Sequence, residues 1–183
     1  MRVYLTGFMA SGKSSLGRNV AMELGFDFLD LDAAIEAEAG KTVGEIFRDD
    51  GEPAFRAAEA AALRTTSHLE NQVIAVGGGT LVPDANMDWA LDHGTVVFLD
   101  LPAEELVRRL SRSRTRRPLV EAMLRNPGEL ERRVAELLGE RRHAYERAQL
   151  TFRPEKTTAS RNARLLVQLL LPLLKNEDRD SPD

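Results

Sequence analysis

The stretch RVYLTGFMASGKSSLG, residues 2–17, limits what this chain can fold into more than any other. A short apolar run meets Gly7, then Gly12, Lys13 and two serines, and then a helical pattern that lasts until Gly25. The pattern is G-x-x-x-x-G-K-S/T, set between a predicted buried strand and a predicted helix. Gly7 and Gly12 permit backbone angles that let successive N–H groups converge on an anion, and the helix N-terminus adds its partial positive charge. Lys13 supplies a point charge to outer phosphates, the Ser14 hydroxyl is a candidate Mg2+ ligand, and Ser15 begins the helix. The candidate nucleotide cradle is therefore Gly7, Ala10, Ser11, Gly12, Lys13, Ser14 and Ser15. A glycine turn without a ligand is the alternative, and the intact motif in its strand-to-helix setting disfavours it.

Beyond this loop, strands alternate with helices. FDFLDLD reads as a second strand ending in acids, NQVIAVGGGT as a third running into glycines, GTVVFLDL as a fourth and LTFRP as a fifth. Helical patterns fill the intervals, broken once at Asp50 and Gly51. Leu165, Leu166, Leu169 and Leu170 mark a last helix spaced to pack on a sheet. The expectation is an α/β fold, a parallel five-stranded sheet with helices on both faces. The 183 residues suit one domain, expected over 1–175, with an acidic tail at 176–183 that has no apolar face and is expected to be disordered.

Composition removes several classes of function. With no cysteine, the chain has no disulfide, thiolate metal site or cysteine nucleophile. The net charge of -4 argues against bulk attraction to nucleic acid or anionic membrane. No apolar h-region precedes the first strand, and LLVQLLLPLL is too short to span a bilayer, so the expected location is cytoplasmic. No long exposed apolar face stands out, which makes a monomer the default.

Other residues offer partners for an acceptor. Asp30 and Asp32 alternate along the predicted strand toward the carboxyl edge, where open parallel sheets bind ligands. Asp30 is a candidate for Mg2+, and Asp32 for substrate hydroxyls or a proton, although a helix cap at Asp32 explains that acid equally well. Arg56, in FRAAE, reads by itself as an exposed helix charge. The three glycines of VGGGT allow a small ligand close to the backbone. RRLSRSRTRRPL carries six arginines without interleaved aromatics, which favours a mobile lid bringing arginine to the transferring phosphate over a nucleic-acid patch. Arg141 and Tyr145 stand i,i+4 on a predicted helix and share one face, toward the cleft on one reading, while a surface charge explains Arg141 by itself equally well.

These residues resemble the shikimate kinase family. The resemblance runs from Val3 to about Ala148 and rests on GFMASGKSS, FLDLDAAIEAEAGKTVGEIFRDDGEPAFRAAE, VGGGT, TRRPL and ERRHAYERA, all in the family's order. It implies a P-loop fold like that of nucleoside monophosphate kinases, with an acceptor-binding segment near 32–60 and a lid near 111–124. It also implies an enzyme that moves the γ-phosphoryl group of MgATP to the 3-hydroxyl of shikimate. By that likeness Asp32 holds shikimate hydroxyls beside the reacting one, Arg56 and Arg141 clamp the carboxylate, and Gly78 touches the acceptor through its backbone. Lys13 and Arg117 contact the transferring group and the ATP phosphates, and Ser14 with Asp30 organises Mg2+. The chain departs from the family at His143, where a proline is expected, an exchange expected to loosen the helix around Arg141. It departs again after Leu150, where Arg109 or Arg112 with Pro154 are the candidates for flanking adenine. Gluconate kinases, nucleoside monophosphate kinases and an inactive nucleotide-binding regulator are the rival readings, and D-L-D, F-R and GGGT together fall outside the first two.

Overall fold

The structure, a computed structural model, describes residues 1–112 and 127–177. Five strands, β1 (Arg2–Thr6), β2 (Asp27–Asp30), β3 (Gln72–Ala75), β4 (Thr95–Leu99) and β5 (Leu150–Phe152), form one sheet in the order β2-β3-β1-β4-β5. Every adjacent pair is parallel. Tyr4 at the centre lies opposite Ile74 on one side and Val96 on the other. The expected parallel sheet of five strands is what the chain forms.

Eight helices are found among the described residues: α1 (Lys13–Leu24), α2 (Leu31–Ala39), α3 (Val43–Asp49), α4 (Gly51–Thr65), α5 (Asp84–His93), α6 (Ala103–Arg112), α7 (Pro127–Tyr145) and α8 (Ala159–Glu177). Alternation along each strand divides the core between the two faces. Val3, Leu5, Val73, Val97 and Leu99 pack with apolar residues of α1, α6, α7 and α8. Tyr4, Ile74, Val76 and Val96 pack with those of α2 to α5. Leu166 and Leu170 of α8 are wholly buried, and burial of that kind stabilises by about 1.5–3 kcal/mol per side chain.

Four sequence expectations need correction. β2 stops at Asp30 and α2 starts at Leu31, because the Asp30 carboxylate caps that helix, its Oδ1 accepting from Ala33 N at 3.4 Å. Asp32 is therefore in a helical first turn, and the cap assigned to it belongs to Asp30. Helix α1 begins at Lys13, two residues before Ser15. Leu169 is 48% exposed and faces away from the core. Helix α8 continues through Glu177, two residues into the expected tail, while residues 178–183 lie outside the described ones. The break between α3 and α4 falls where it was expected, at Asp50 and a left-handed Gly51 with φ 84°.

Candidate active site

All the groups of interest gather at the carboxyl edge of the sheet, where the chain leaves β1 toward one edge and later returns to fill the other. After β1 the loop turns through Gly7 at φ 137°, Ala10 at φ 61° and Gly12 at φ 97°. Any Cβ at Gly7 would lie 2.8 Å from the Leu99 carbonyl oxygen, so backbone conformation and space both demand glycine there. Ala10 adopts the left-handed region without being glycine, a strain of the kind concentrated at ligand-binding loops. Lys13 curls over its own loop, donating to Gly7 O at 2.8 Å and Phe8 O at 3.0 Å. Ser14 Oγ donates to Asp30 Oδ2 at 2.5 Å, joining the first turn of α1 to the end of β2.

Helix α6 reaches the loop from the other side. Arg109 Nη1 donates to Ser11 O at 3.0 Å, while Arg109 Nε donates to Glu105 at 2.6 Å. Bonds from Arg108 and then Arg109 hold the Glu105 carboxyl down at about 2. Glu105 thus keeps Arg109 aimed at the loop.

The three glycines after β3 are where the residues expected to hold an acceptor converge. A Cβ on Gly77 would sit 2.7 Å from Asp32 Oδ1, 2.7 Å from Glu59 Oε1 and 2.8 Å from Thr80 Oγ1. One on Gly79 would sit 2.6 Å from Arg56 Nη1. Gly78 lies against the phosphate loop, its Cβ position 3.3 Å from Met9 N. Its carbonyl accepts from Tyr145 OH at 2.5 Å and from Arg141 Nη1 at 3.3 Å. Any side chain at these positions would push into the acid, the arginine or the loop. Asp32, Arg56, Gly78 and Arg141, far apart in sequence, are therefore neighbours, with the loop of Gly7 to Ser15 beside them.

Arg56 is not the exposed helix charge it resembles in isolation. Its Nη1 donates to Glu59, which is 2% exposed, and its Nη2 donates to Glu52 at 3.0 Å. Partial burial acts against the guanidinium's charge, but the two carboxylates outweigh it and the group titrates above its usual range. Glu59 also accepts from Thr80 Oγ1 at 2.6 Å. Sequence reasoning missed Glu59; its only signal was the i,i+3 spacing from Arg56, which a surface pair would share.

Next to Arg141, Arg142 turns to Asp100 at the end of β4, with Nη1 3.4 Å from Oδ1, and Arg153 Nε donates to the same carboxylate at 2.9 Å. A cavity of about 380 Å³ opens here, lined by Leu101, Leu138 and Pro154 among others. Pro154 lines this cavity, whereas Arg109 bonds to the phosphate loop and Arg112 is exposed. Helix α7 runs through His143 to Tyr145, and Glu146 N donates to Arg142 O at 2.9 Å. Arg117 and all but the first two residues of the expected lid fall outside the described residues.

A sequence model of the family described as shikimate kinase matches residues 9–171. The chain belongs to the shikimate kinase family. It is 46% identical over 155 residues to the shikimate kinase of Salinibacter ruber, covering 83% of this chain and 76% of that one. Among solved structures, shikimate kinase from Bacteroides thetaiotaomicron superposes with a TM-score of 0.87 at 34% identity, covering 93% of this chain and 98% of that one. Shikimate kinase from Acinetobacter baumannii, solved in complex with shikimate, gives a TM-score of 0.83 at 31% identity over 94% and 93% of the two chains. Family membership settles the fold as that of a P-loop kinase. Within that fold, Gly77 to Gly79 are the junction between the phosphate loop and the acid and arginines beside it.

Proposed function

We propose that this chain transfers the γ-phosphoryl group of ATP to the 3-hydroxyl of shikimate. The observation that carries the reading is the packing of Asp32, Arg56 and Arg141 around three glycines that abut the phosphate loop. Two guanidinium forks suit a carboxylate and an acid suits a polyol, so the set fits a small hydroxylated acid.

The loop N–H groups, the amino end of α1 and Lys13 receive the phosphates of ATP. Lys13 must leave Gly7 O and Phe8 O to do so, exchanging two carbonyls for phosphate oxygens. Arg56 and Arg141 take the acceptor's carboxylate, and Asp32 accepts the proton of the reacting hydroxyl. The bond from that oxygen to the γ-phosphorus forms as the bond to the β-phosphate oxygen breaks, with ADP leaving. Phosphoryl transfer needs alignment and charge neutralisation above all, and no covalent enzyme intermediate is required.

The paired hydroxyl of Ser14 and carboxylate of Asp30 are hard oxygen donors at the loop's edge. That donor set fits Mg2+, which keeps most of its other positions for water and phosphate. When bound there, Mg2+ supplies positive charge to the outer phosphates. Arg117 is assigned to the transferring group, within a lid near 111–124 of a kinase domain spanning 1–175. The acceptor segment is 32–60, and a biosynthetic kinase of this kind acts as a cytoplasmic monomer.

A coupled ADP-release assay with MgATP tests the reading. Shikimate is compared with gluconate, a nucleoside monophosphate and no acceptor. Release that depends on shikimate supports it, and ATP binding without shikimate turnover defeats it.

A further inference from the structure

Tyr145 is fully buried in the last turn of α7, its ring stacked on Phe98 of β4 with centroids 5.1 Å apart. A phenol buried so completely needs a partner for its hydroxyl. That partner is the carbonyl of Gly78 at 2.5 Å. Arg141, one helical turn earlier, donates to the same carbonyl at 3.3 Å, which brings its charge beside the tyrosine hydroxyl. One backbone oxygen therefore holds two donors, a phenol and a guanidinium. Burial pushes the phenol above its ordinary range, with the neighbouring Arg141 opposing that rise, so the hydroxyl remains a proton donor at any working pH.

We propose that Tyr145 is a positioning residue for the acceptor's carboxylate, acting through Arg141 and the Gly78 peptide. Arg141 carries a long, flexible side chain, and holding it in place before the ligand arrives removes ordering cost from binding. The anchor it shares with Tyr145 is the carbonyl of a glycine whose Cβ position lies 3.3 Å from Met9 N of the phosphate loop. A carbonyl fixed by two donors fixes the whole peptide plane, because the amide is rigid and trans. Tyr145 thereby sets the reach of the arginine and the attitude of the glycine together. The inference rests on the assignment of Arg141 to the carboxylate.

Removing only the hydroxyl tests it. Tyr145→Phe keeps the ring on Phe98 and is measured in the full chain beside Arg141→Ala and the double variant, varying shikimate and ATP separately. Tyr145→Phe is expected to raise the shikimate KM about three- to tenfold, with the ATP KM unchanged. In the Arg141→Ala background the same change is expected to add less than about twofold, since the arginine it positions is gone. An unchanged shikimate KM in Tyr145→Phe overturns the inference, as does a parallel rise in both KM values, which marks general loosening. If Arg141→Ala raises the KM but the two effects multiply independently, the carboxylate assignment stands and the role of Tyr145 is refuted. If Arg141→Ala leaves the KM unchanged, the assignment falls and the inference with it.

Discussion

Glu59 provides the sharpest test of how the acceptor side is built. It is 2% exposed and bonds both Arg56 and Thr80. In Glu59→Ala the Thr80 hydroxyl, itself 1% exposed, loses its acceptor, which costs about 1–3 kcal/mol. Arg56 also loses its buried partner. Breaking a fully buried ion pair costs about 3–5 kcal/mol, but the Arg56 side chain is 33% exposed and keeps Glu52, so its share lies well below that range. A total of about 2–4 kcal/mol follows for stability, which for a chain of this size lowers Tm by roughly 4–16 °C. The shikimate KM is expected to rise in the same variant, because Arg56 loses the carboxylate that holds its fork against Gly79. Glu59→Gln keeps a Thr80 acceptor and most of the packing, so it loses less than half as much stability. Urea unfolding, thermal melts and shikimate titrations of the three proteins measure these effects. Wild-type stability and wild-type shikimate KM in Glu59→Ala would refute the reasoning.

Lys13→Ala is expected to lower kcat by at least about a hundredfold, as an outer-phosphate charge is lost; turnover near the wild-type rate would remove the loop from catalysis. Arg117→Ala is expected to depress kcat more than ATP affinity, and equal losses in both would make it a ground-state ligand instead. Gly77→Ala crowds Asp32, Glu59 and Thr80 at once and is expected to weaken acceptor turnover while sparing ATP binding, which isothermal titration and steady-state rates separate. Glu105 titrates near 2 in the fold against an ordinary value of 4.5, so it contributes stability above about pH 5 that is lost as pH falls through that interval. The acid side of the stability profile is therefore expected to be shallower in Glu105→Gln, and an identical profile would show that the Arg108 and Arg109 bonds do not count.

The fold was legible because its local signals agree. The glycine loop, the left-handed glycines at 25 and 40, and apolar runs of strand length all point to one architecture. Boundaries failed where two signals competed at one residue. Leu31 continues the apolar pattern of β2, yet the Asp30 carboxylate captures Ala33 N and starts the helix there. In the site, a local motif marks Lys13 and Ser14 as candidates from sequence, whereas Arg141 stands out there only through the family resemblance. Glu59 and Asp100 were not legible there, because their importance comes from burial and from partners far away in the chain. Glu59 becomes significant only when Thr80 and Gly77 arrive from another element, and Asp100 only when Arg142 and Arg153 converge on it.

The most direct test of the central claim is the position of the new phosphate. The product of the chain with MgATP and shikimate is isolated, weighed by mass spectrometry and assigned by proton–phosphorus NMR correlation. The account predicts a single phosphate coupled to the proton on carbon 3, the hydroxyl assigned to Asp32. A phosphate on another hydroxyl, or ADP released with shikimate recovered unchanged, would contradict it.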